Sequence, residues 1–95
     1  MLRIVEAKTF KDKLIGFMGK EHIDYGLFFR NVNSIHTFFM KESIDIVGLD
    51  KNMVVREVYF NVSPNKIIFL RKSKHTLELP KFGAKNYKIG DVLKI

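Results

Sequence analysis

The chain has 95 residues, a formal net charge of +7 and no cysteine. This length fits one domain and leaves no room for a second hydrophobic core, and the lack of cysteine excludes disulfides, cysteine-liganded zinc and thiol catalysis. No apolar run approaches the roughly 18 residues of a membrane helix, so we expect a soluble protein with no membrane partner.

The first two elements are predicted to be a strand and a short helix. Branched residues over 2–8 suggest the strand, and charges interrupt this stretch too early for a signal peptide, so we expect a cytoplasmic location. Thr9 can cap the helix, which has apolar residues at positions 10, 14, 15, 17 and 18, and Gly19 can end it.

The rest of the chain is predicted to form β structure. Short apolar runs rich in β-branched and aromatic residues indicate strands at about 27–30, 34–40, 44–50, 53–61, 66–71, 75–79 and 91–95. Their spacing of roughly ten residues favours antiparallel connections, because parallel crossovers need a dozen or more residues. Residues 81–88, with Gly83, Asn86 and three lysines, are predicted to form an exposed loop.

Two turns are predicted from their polar residues. Asp50-Lys51-Asn52-Met53 suits a tight hairpin in which Asn52 takes a left-handed conformation. Asp91, after Gly90, is predicted to satisfy backbone N–H groups of its own turn.

Several segments, taken in order, are more distinctive than the composition. The centre reads Ile35-His36-Thr37-Phe38-Phe39-Met40-Lys41, then Ile44-Asp45-Ile46-Val47 and Leu49-Asp50. The others are Gly16-Phe17-Met18-Gly19-Lys20, Tyr25-Gly26-Leu27-Phe28-Phe29, His75-Thr76-Leu77-Glu78-Leu79-Pro80 and Ile89-Gly90-Asp91. Together they resemble the bacterial and archaeal family called domain of unknown function 192. The resemblance implies a single domain over residues 1–95, mainly β, folded as a compact antiparallel β sandwich or barrel with one short N-terminal helix, and it implies no particular reaction.

The strand predicted at 34–40 contains the first candidate site residue. A period of two places His36, Phe38 and Met40 on one face of this strand, and aromatic residues then stand on both faces. Because this indicates a strand covered on both sides, His36 is predicted to be partly buried. It is either a hydrogen-bonded core histidine or a group that binds a ligand or moves protons. No second histidine stands at ligand spacing, so we predict no metal site.

Lys41 and Asp45 are the second candidate. Asp45 shares a strand face with Val47 and Leu49, and an unpaired buried charge is costly, so we predict Lys41 as its partner. The pair either forms the floor of a pocket or is a structural ion pair that fixes the turn. Glu78 alternates with Leu77 and Leu79 and is predicted to face solvent or a groove, where it could contact a ligand.

Three functional hypotheses follow. The preferred one is a small binding or accessory module whose partner, an unidentified small molecule or protein, contacts Lys41, Asp45, His36 and Glu78, with no cofactor. The second is an enzyme with Asp45 as acid or base, Lys41 as electrostatic stabiliser and His36 nearby. The third is salt-sensitive nucleic-acid binding by the basic second half, where residues 48–95 hold ten Lys/Arg against four Asp/Glu. The cations that would contact the nucleic acid under this hypothesis are Lys66, Arg71, Lys72, Lys74, Lys81, Lys85 and Lys88.

Overall fold

The structure, a computed structural model, describes residues 2–94 and contains seven strands and one helix within them. The elements are β1 (Arg3–Glu6), α1 (Phe10–Ile15), β2 (Tyr25–Phe29), β3 (Ser34–His36), β4 (Ile44–Leu49), β5 (Val55–Val62), β6 (Ile67–Phe69) and β7 (His75–Pro80). The helix α1 has six residues, and no helix within residues 2–94 is long and apolar enough to cross a membrane.

The strands form two sheets. The main sheet has the order β1-β2-β7-β4-β5, and the small sheet pairs β3 with β6. All described pairings are antiparallel except β1 with β2, which are parallel and connected through α1. The predicted mainly β fold with a short N-terminal helix is confirmed, with the correction that the main sheet is mixed.

Apolar side chains pack on both faces of the main sheet. On one face, Phe17, Phe29 and Ile46 join residues of the small sheet such as Ile35. On the other face, Val47 and Leu77 pack with Ala84 from the segment after β7. Because β7 lies between β2 and β4, both of its faces are covered, and residues 75–79 are all buried.

The helix begins as predicted and ends earlier. The Thr9 hydroxyl accepts a hydrogen bond from the Asp12 backbone N–H at 3.0 Å, which satisfies one of the free donors at the start of α1. The helix stops at Ile15 because Gly16, with φ at 52°, donates its N–H back to the Asp12 carbonyl. Gly19, also at positive φ, belongs to the following turn.

The prediction of a strand over 34–40 is wrong beyond His36. Thr37 ends the strand because its hydroxyl accepts the Lys66 N–H and donates to the Ser63 carbonyl, both at 2.8 Å. Phe39 then takes a positive φ of 63°. The side chains therefore do not alternate as expected, and Phe38 is exposed while Met40 is buried.

Three predictions, two at turns and one at the C-terminus, are settled by local contacts. In the hairpin after β4, the left-handed residue is Met53, at φ 65°, instead of Asn52, whose N–H is held by the Asp50 carboxylate. The predicted strand 91–95 is reduced to a single bridge between Val54 and Val92, and residue 95 lies outside the described part of the chain. Asp91 accepts the Lys88 backbone N–H at 2.9 Å, which confirms its predicted role.

Gly48 allows the turn after β6 to approach β4. A Cβ atom at this position would lie 2.1 Å from the Ser73 hydroxyl oxygen and 2.8 Å from a Leu70 methyl carbon. Ser73 is itself held by a hydrogen bond to the Glu57 carboxylate. The space therefore cannot be opened without moving a fixed turn.

We expect Gly48→Ala to lower the free energy of unfolding by about 1–3 kcal/mol through overpacking, measured by urea denaturation. Ser73→Gly removes the hydroxyl and Cβ atoms that the new methyl group would meet. The cost of Gly48→Ala should therefore shrink in the Ser73→Gly background. Equal costs in both backgrounds would contradict this account.

Candidate functional site

The carboxyl group of Glu78 lies in the middle of the main sheet. In the sheet register, Glu78 on β7 is flanked by Leu27 on β2 and by Ile46 on β4. Only 3% of the residue is exposed, since α1, the turn after it and the small sheet cover this face. Glu78 therefore does not face bulk solvent.

One oxygen of this carboxyl group is unsatisfied. Glu78 Oε1 is buried and has no hydrogen-bond partner among residues 2–94. Burial raises the pKa of Glu78 to about 8, although a backbone hydrogen bond from Phe17 acts in the opposite direction. Since buried polar groups in native proteins usually have partners, this oxygen indicates a place where something can bind.

Gly16 lets the main chain approach the same oxygen. A Cβ atom on Gly16 would lie 3.1 Å from Glu78 Oε1 and 3.4 Å from the ring of Phe29. Its positive φ also suits glycine, because other residues rarely adopt that conformation. The end of α1 therefore shapes one wall beside the carboxyl group.

A cavity of about 150 Å³ opens in front of Glu78. Its walls come from the end of α1, the edge of β3 and the approach to β4. The lining residues are Lys13, Leu14, Ile15, Gly16, Val32, Ser34, Ile35, His36, Met40 and Glu78. Three of the segments that carry the family resemblance, those containing Gly16, His36 and Glu78, thus meet at one cavity.

His36 lies at the rim of this cavity and is partly buried, as predicted. Its Nδ1 atom accepts the backbone N–H of Phe38 at 3.2 Å, and the two rings stack with centroids 5.3 Å apart. This hydrogen bond fixes the ring orientation and requires Nδ1 to be the unprotonated nitrogen. The structure thus places two of the four candidate site residues, His36 and Glu78, at one cavity.

Asp45 lies on the opposite face of the main sheet and serves a structural role. Its residue exposure is 1%, and its two oxygens accept backbone N–H groups from Asn61 at 2.9 Å and Ala84 at 3.0 Å. These bonds join β4 to the irregular part of β5 and to the turn after β7. Backbone donors, not a lysine, compensate the buried charge.

The predicted ion pair between Lys41 and Asp45 does not form. Lys41 is exposed, and its ammonium group lies 3.9 Å from Glu21. Because the chain turns at residues 37–40, Lys41 is not on a strand beside β4, and it cannot reach the buried Asp45 face. Neither residue lines the Glu78 cavity or the open depression formed by His22, Ile23, Glu42, Ser43, Pro80 and Lys81. Asp45, Lys41 and His36 therefore do not share either of these two cavities.

Sequence reasoning missed the part of the site that comes from α1. Lys13 lines the cavity, and its ammonium group donates to the Arg30 carbonyl at 3.2 Å. The helical pattern showed that Leu14 and Ile15 are apolar positions of α1. It did not show which face of the main sheet they would cover. The one available signal was Gly16 within a distinctive segment, since a glycine before an expected helix end points to close packing.

Two solved structures share the fold. One is a protein of unknown function from Novosphingobium aromaticivorans, with a TM-score of 0.87 and 17% sequence identity, covering 99% of this chain and 75% of that one. The other, from Sinorhizobium meliloti, is described as a candidate transcription regulator and has a TM-score of 0.84 and 22% identity, covering 98% and 81% of the two chains. At these identities the likeness concerns the fold alone.

Sequence comparison gives one further result. No curated protein matches the chain. The model of the family domain of unknown function 192, described as "Uncharacterized ACR", matches residues 1–95. The resemblance found in the sequence is therefore confirmed over the whole length.

The raised pKa of Glu78 predicts a specific pH dependence of stability. Its folded pKa of about 8 lies above the ordinary value of 4.5, so the folded state holds a proton that the unfolded state has lost between these pH values. The stability associated with the protonated carboxyl is complete below pH 4.5 and is lost as the pH rises through 8. Glu78→Gln cannot ionise, so its free energy of unfolding should not show this decrease. The difference in free energy of unfolding between Glu78→Gln and the parent chain should therefore rise by several kcal/mol from acidic to alkaline pH.

Urea denaturation across this pH range measures the effect. Glu42→Gln, at an exposed glutamate, is the control and should follow the parent curve. Parallel curves for Glu78→Gln and the parent would mean that Glu78 ionises in the folded state at its ordinary pKa.

Asp45→Asn tests the structural role of the other carboxyl group. An amide has one oxygen where the carboxylate has two, and its NH₂ group would face a backbone N–H. We expect a loss of about 1–3 kcal/mol in the free energy of unfolding, measured by urea denaturation. Asp24→Asn, at an exposed position, is the matched control. A neutral effect of Asp45→Asn would show that the two backbone bonds do not stabilise the fold.

Proposed function

We propose a binding function for this chain, which belongs to the family domain of unknown function 192, a family without an assigned activity. The ligand is a small molecule, or a single side chain presented by a protein partner, held in the cavity in front of Glu78. This proposal keeps the binding module expected from the sequence but moves its centre from Lys41 and Asp45 to Glu78 and His36.

The observation that carries the proposal is the unsatisfied Glu78 Oε1 at the cavity wall. Leaving a buried polar group without a partner costs about 1–3 kcal/mol, and an apolar side chain between Leu27 and Ile46 would avoid that cost. Proteins keep such costly polar groups mainly at functional sites. A ligand that supplies the missing hydrogen bond would recover this free energy on binding.

The size of the cavity limits the ligand. A cavity of about 150 Å³ accommodates a guest of the size of benzene, which has about six non-hydrogen atoms. Larger molecules could enter only with one terminal group. The ligand, or its inserted part, is therefore a short fragment.

The cavity lining defines the chemistry of that fragment. Leu14, Ile15, Val32 and Met40 form apolar walls, whereas Ser34, His36 and Glu78 bring polar groups. A short apolar body with one nitrogen group at its end fits this division, because N–H groups can donate to Glu78 Oε1. An ammonium or guanidinium group would bind the ionised carboxylate, and a primary amide would exchange two hydrogen bonds with the protonated acid.

A cytoplasmic location stays a prediction from the sequence.

The test uses three fragments as probes: n-butylammonium, n-propylguanidinium and butyramide. We expect at least one to cause saturable shifts of the backbone amide signals of Gly16, Ser34 and His36 in ¹H–¹⁵N spectra at millimolar concentration. Glu78→Gln should abolish the response to the two cations, because the neutral amide cannot form an ion pair, and Glu42→Gln should retain it. The absence of saturable shifts with all three probes would overturn the proposal.

The pH dependence then identifies the preferred group. Cation binding requires the carboxylate, so its affinity should rise as the pH approaches the Glu78 pKa of about 8. Butyramide binding requires the protonated acid and should weaken over the same interval.

A further inference from the structure

The outer face of the small sheet carries exposed rings and cations that the Glu78 cavity does not use, although Ser34 and His36 belong to both. In the β3–β6 register, Ser34 pairs with Phe69 and His36 with Ile67, while Ile35 and Ile68 point inward to the core. Ile67 is 55% exposed and Phe69 59% exposed. We call this surface the β6 face and define it by Ser34, His36, Ile67 and Phe69, together with Phe38 and Arg71, which contact its two ends.

Aromatic rings mark both ends of the β6 face. At one end, His36 and Phe38 stack with an interplanar angle of 24°. At the other end, the Arg71 guanidinium carbon lies 5.8 Å from the centre of the Phe69 ring. Exposed rings accompanied by arginine are the elements on which the bases of single-stranded nucleic acids stack.

The charge around the β6 face is mostly positive. Residues 25–41 and 58–77, which contain both strands and their flanks, include no Asp or Glu. Lys66 precedes β6, and Arg71, Lys72 and Lys74 follow it; all four are exposed, and none is in an ion pair within residues 2–94. Glu57 reaches the turn after β6, but its oxygens accept hydrogen bonds from Tyr59, Ser73 and the Lys72 backbone.

We propose that the β6 face binds single-stranded nucleic acid. Bases stack on Phe69 and on the His36–Phe38 pair, and Lys66, Arg71 and Lys72 contact phosphates. A single strand fits better than a duplex, because only unpaired bases can place their faces on these rings. The proposal selects three of the seven cations expected from the sequence: Lys74 is given no contact, and Lys81, Lys85 and Lys88 lie in or after the turn that follows β7.

The chain contains a matched control for this proposal. Lys81 lies 5.2 Å from the centre of the Phe82 ring, and Phe82 is 70% exposed. This pair repeats the contact of a cation over a phenylalanine ring seen for Arg71 and Phe69, with a lysine in place of the arginine. It belongs to the turn whose Ala84 packs on the opposite face of the main sheet.

The experiment measures fluorescence anisotropy of labelled 12-nucleotide oligo-dT and oligo-U strands. We expect Phe69→Ala with Arg71→Ala to lower affinity about tenfold or more, because a stacking ring and a phosphate contact are lost together. Phe82→Ala with Lys81→Ala also removes one exposed phenylalanine and one cation and should cause a clearly smaller decrease. All four positions are exposed, and circular dichroism checks that both double variants remain folded.

Salt and competitor experiments separate this site from other charge effects. Arg71→Ala alone should reduce the slope of log affinity against log salt by about 0.7, as one phosphate contact does on a single strand. Equal losses in the two double variants, or equal affinity for a duplex of the same sequence, would overturn the proposal. So would binding to vesicles that contain phosphatidylglycerol without binding to either oligonucleotide. Glu78→Gln should leave oligonucleotide binding unchanged, which separates this site from the cavity.

Discussion

The Glu78 carboxyl group occupies a position that a purely structural core would fill with an apolar side chain. It lies on the central strand of the main sheet, between Leu27 and Ile46, and one of its oxygens lacks a partner. Burial favours the protonated form, so the core tolerates this group as a neutral acid near pH 7. The approach of Gly16 and the free edge of β3 leave a cavity around it, and the proposed binding function depends on this arrangement.

The two buried acids of the main sheet show how the same residue class can serve opposite purposes. Asp45 has a backbone donor for each oxygen and thereby connects β4, β5 and the turn after β7. Glu78 has an oxygen left over and faces a cavity on the other side of the sheet. A satisfied carboxylate stabilises the fold, whereas an unsatisfied one is available to a ligand.

Local chemistry explains which features the sequence could predict. The Thr9 cap, the turn role of Asp91 and most strand positions follow from near neighbours, and they were predicted correctly. The Lys41–Asp45 pair was wrong because it required the strand to continue past His36, whereas Thr37 bonds to Ser63 and Lys66, distant in sequence. The burial of Glu78 depends on β7 lying between β2 and β4, and alternation along one strand cannot reveal which layers cover it.

The order of strands in the main sheet has a consequence for biosynthesis. β7, the last strand along the chain, is inserted between β2 and β4, so the sheet has a gap until residue 80 is available. A growing polypeptide on the ribosome therefore exposes the unpaired edges of β2 and β4 until β7 has been made. The main sheet therefore cannot close until residue 80 has emerged, and a nascent fragment that ends before β7 leaves apolar strands without their central partner.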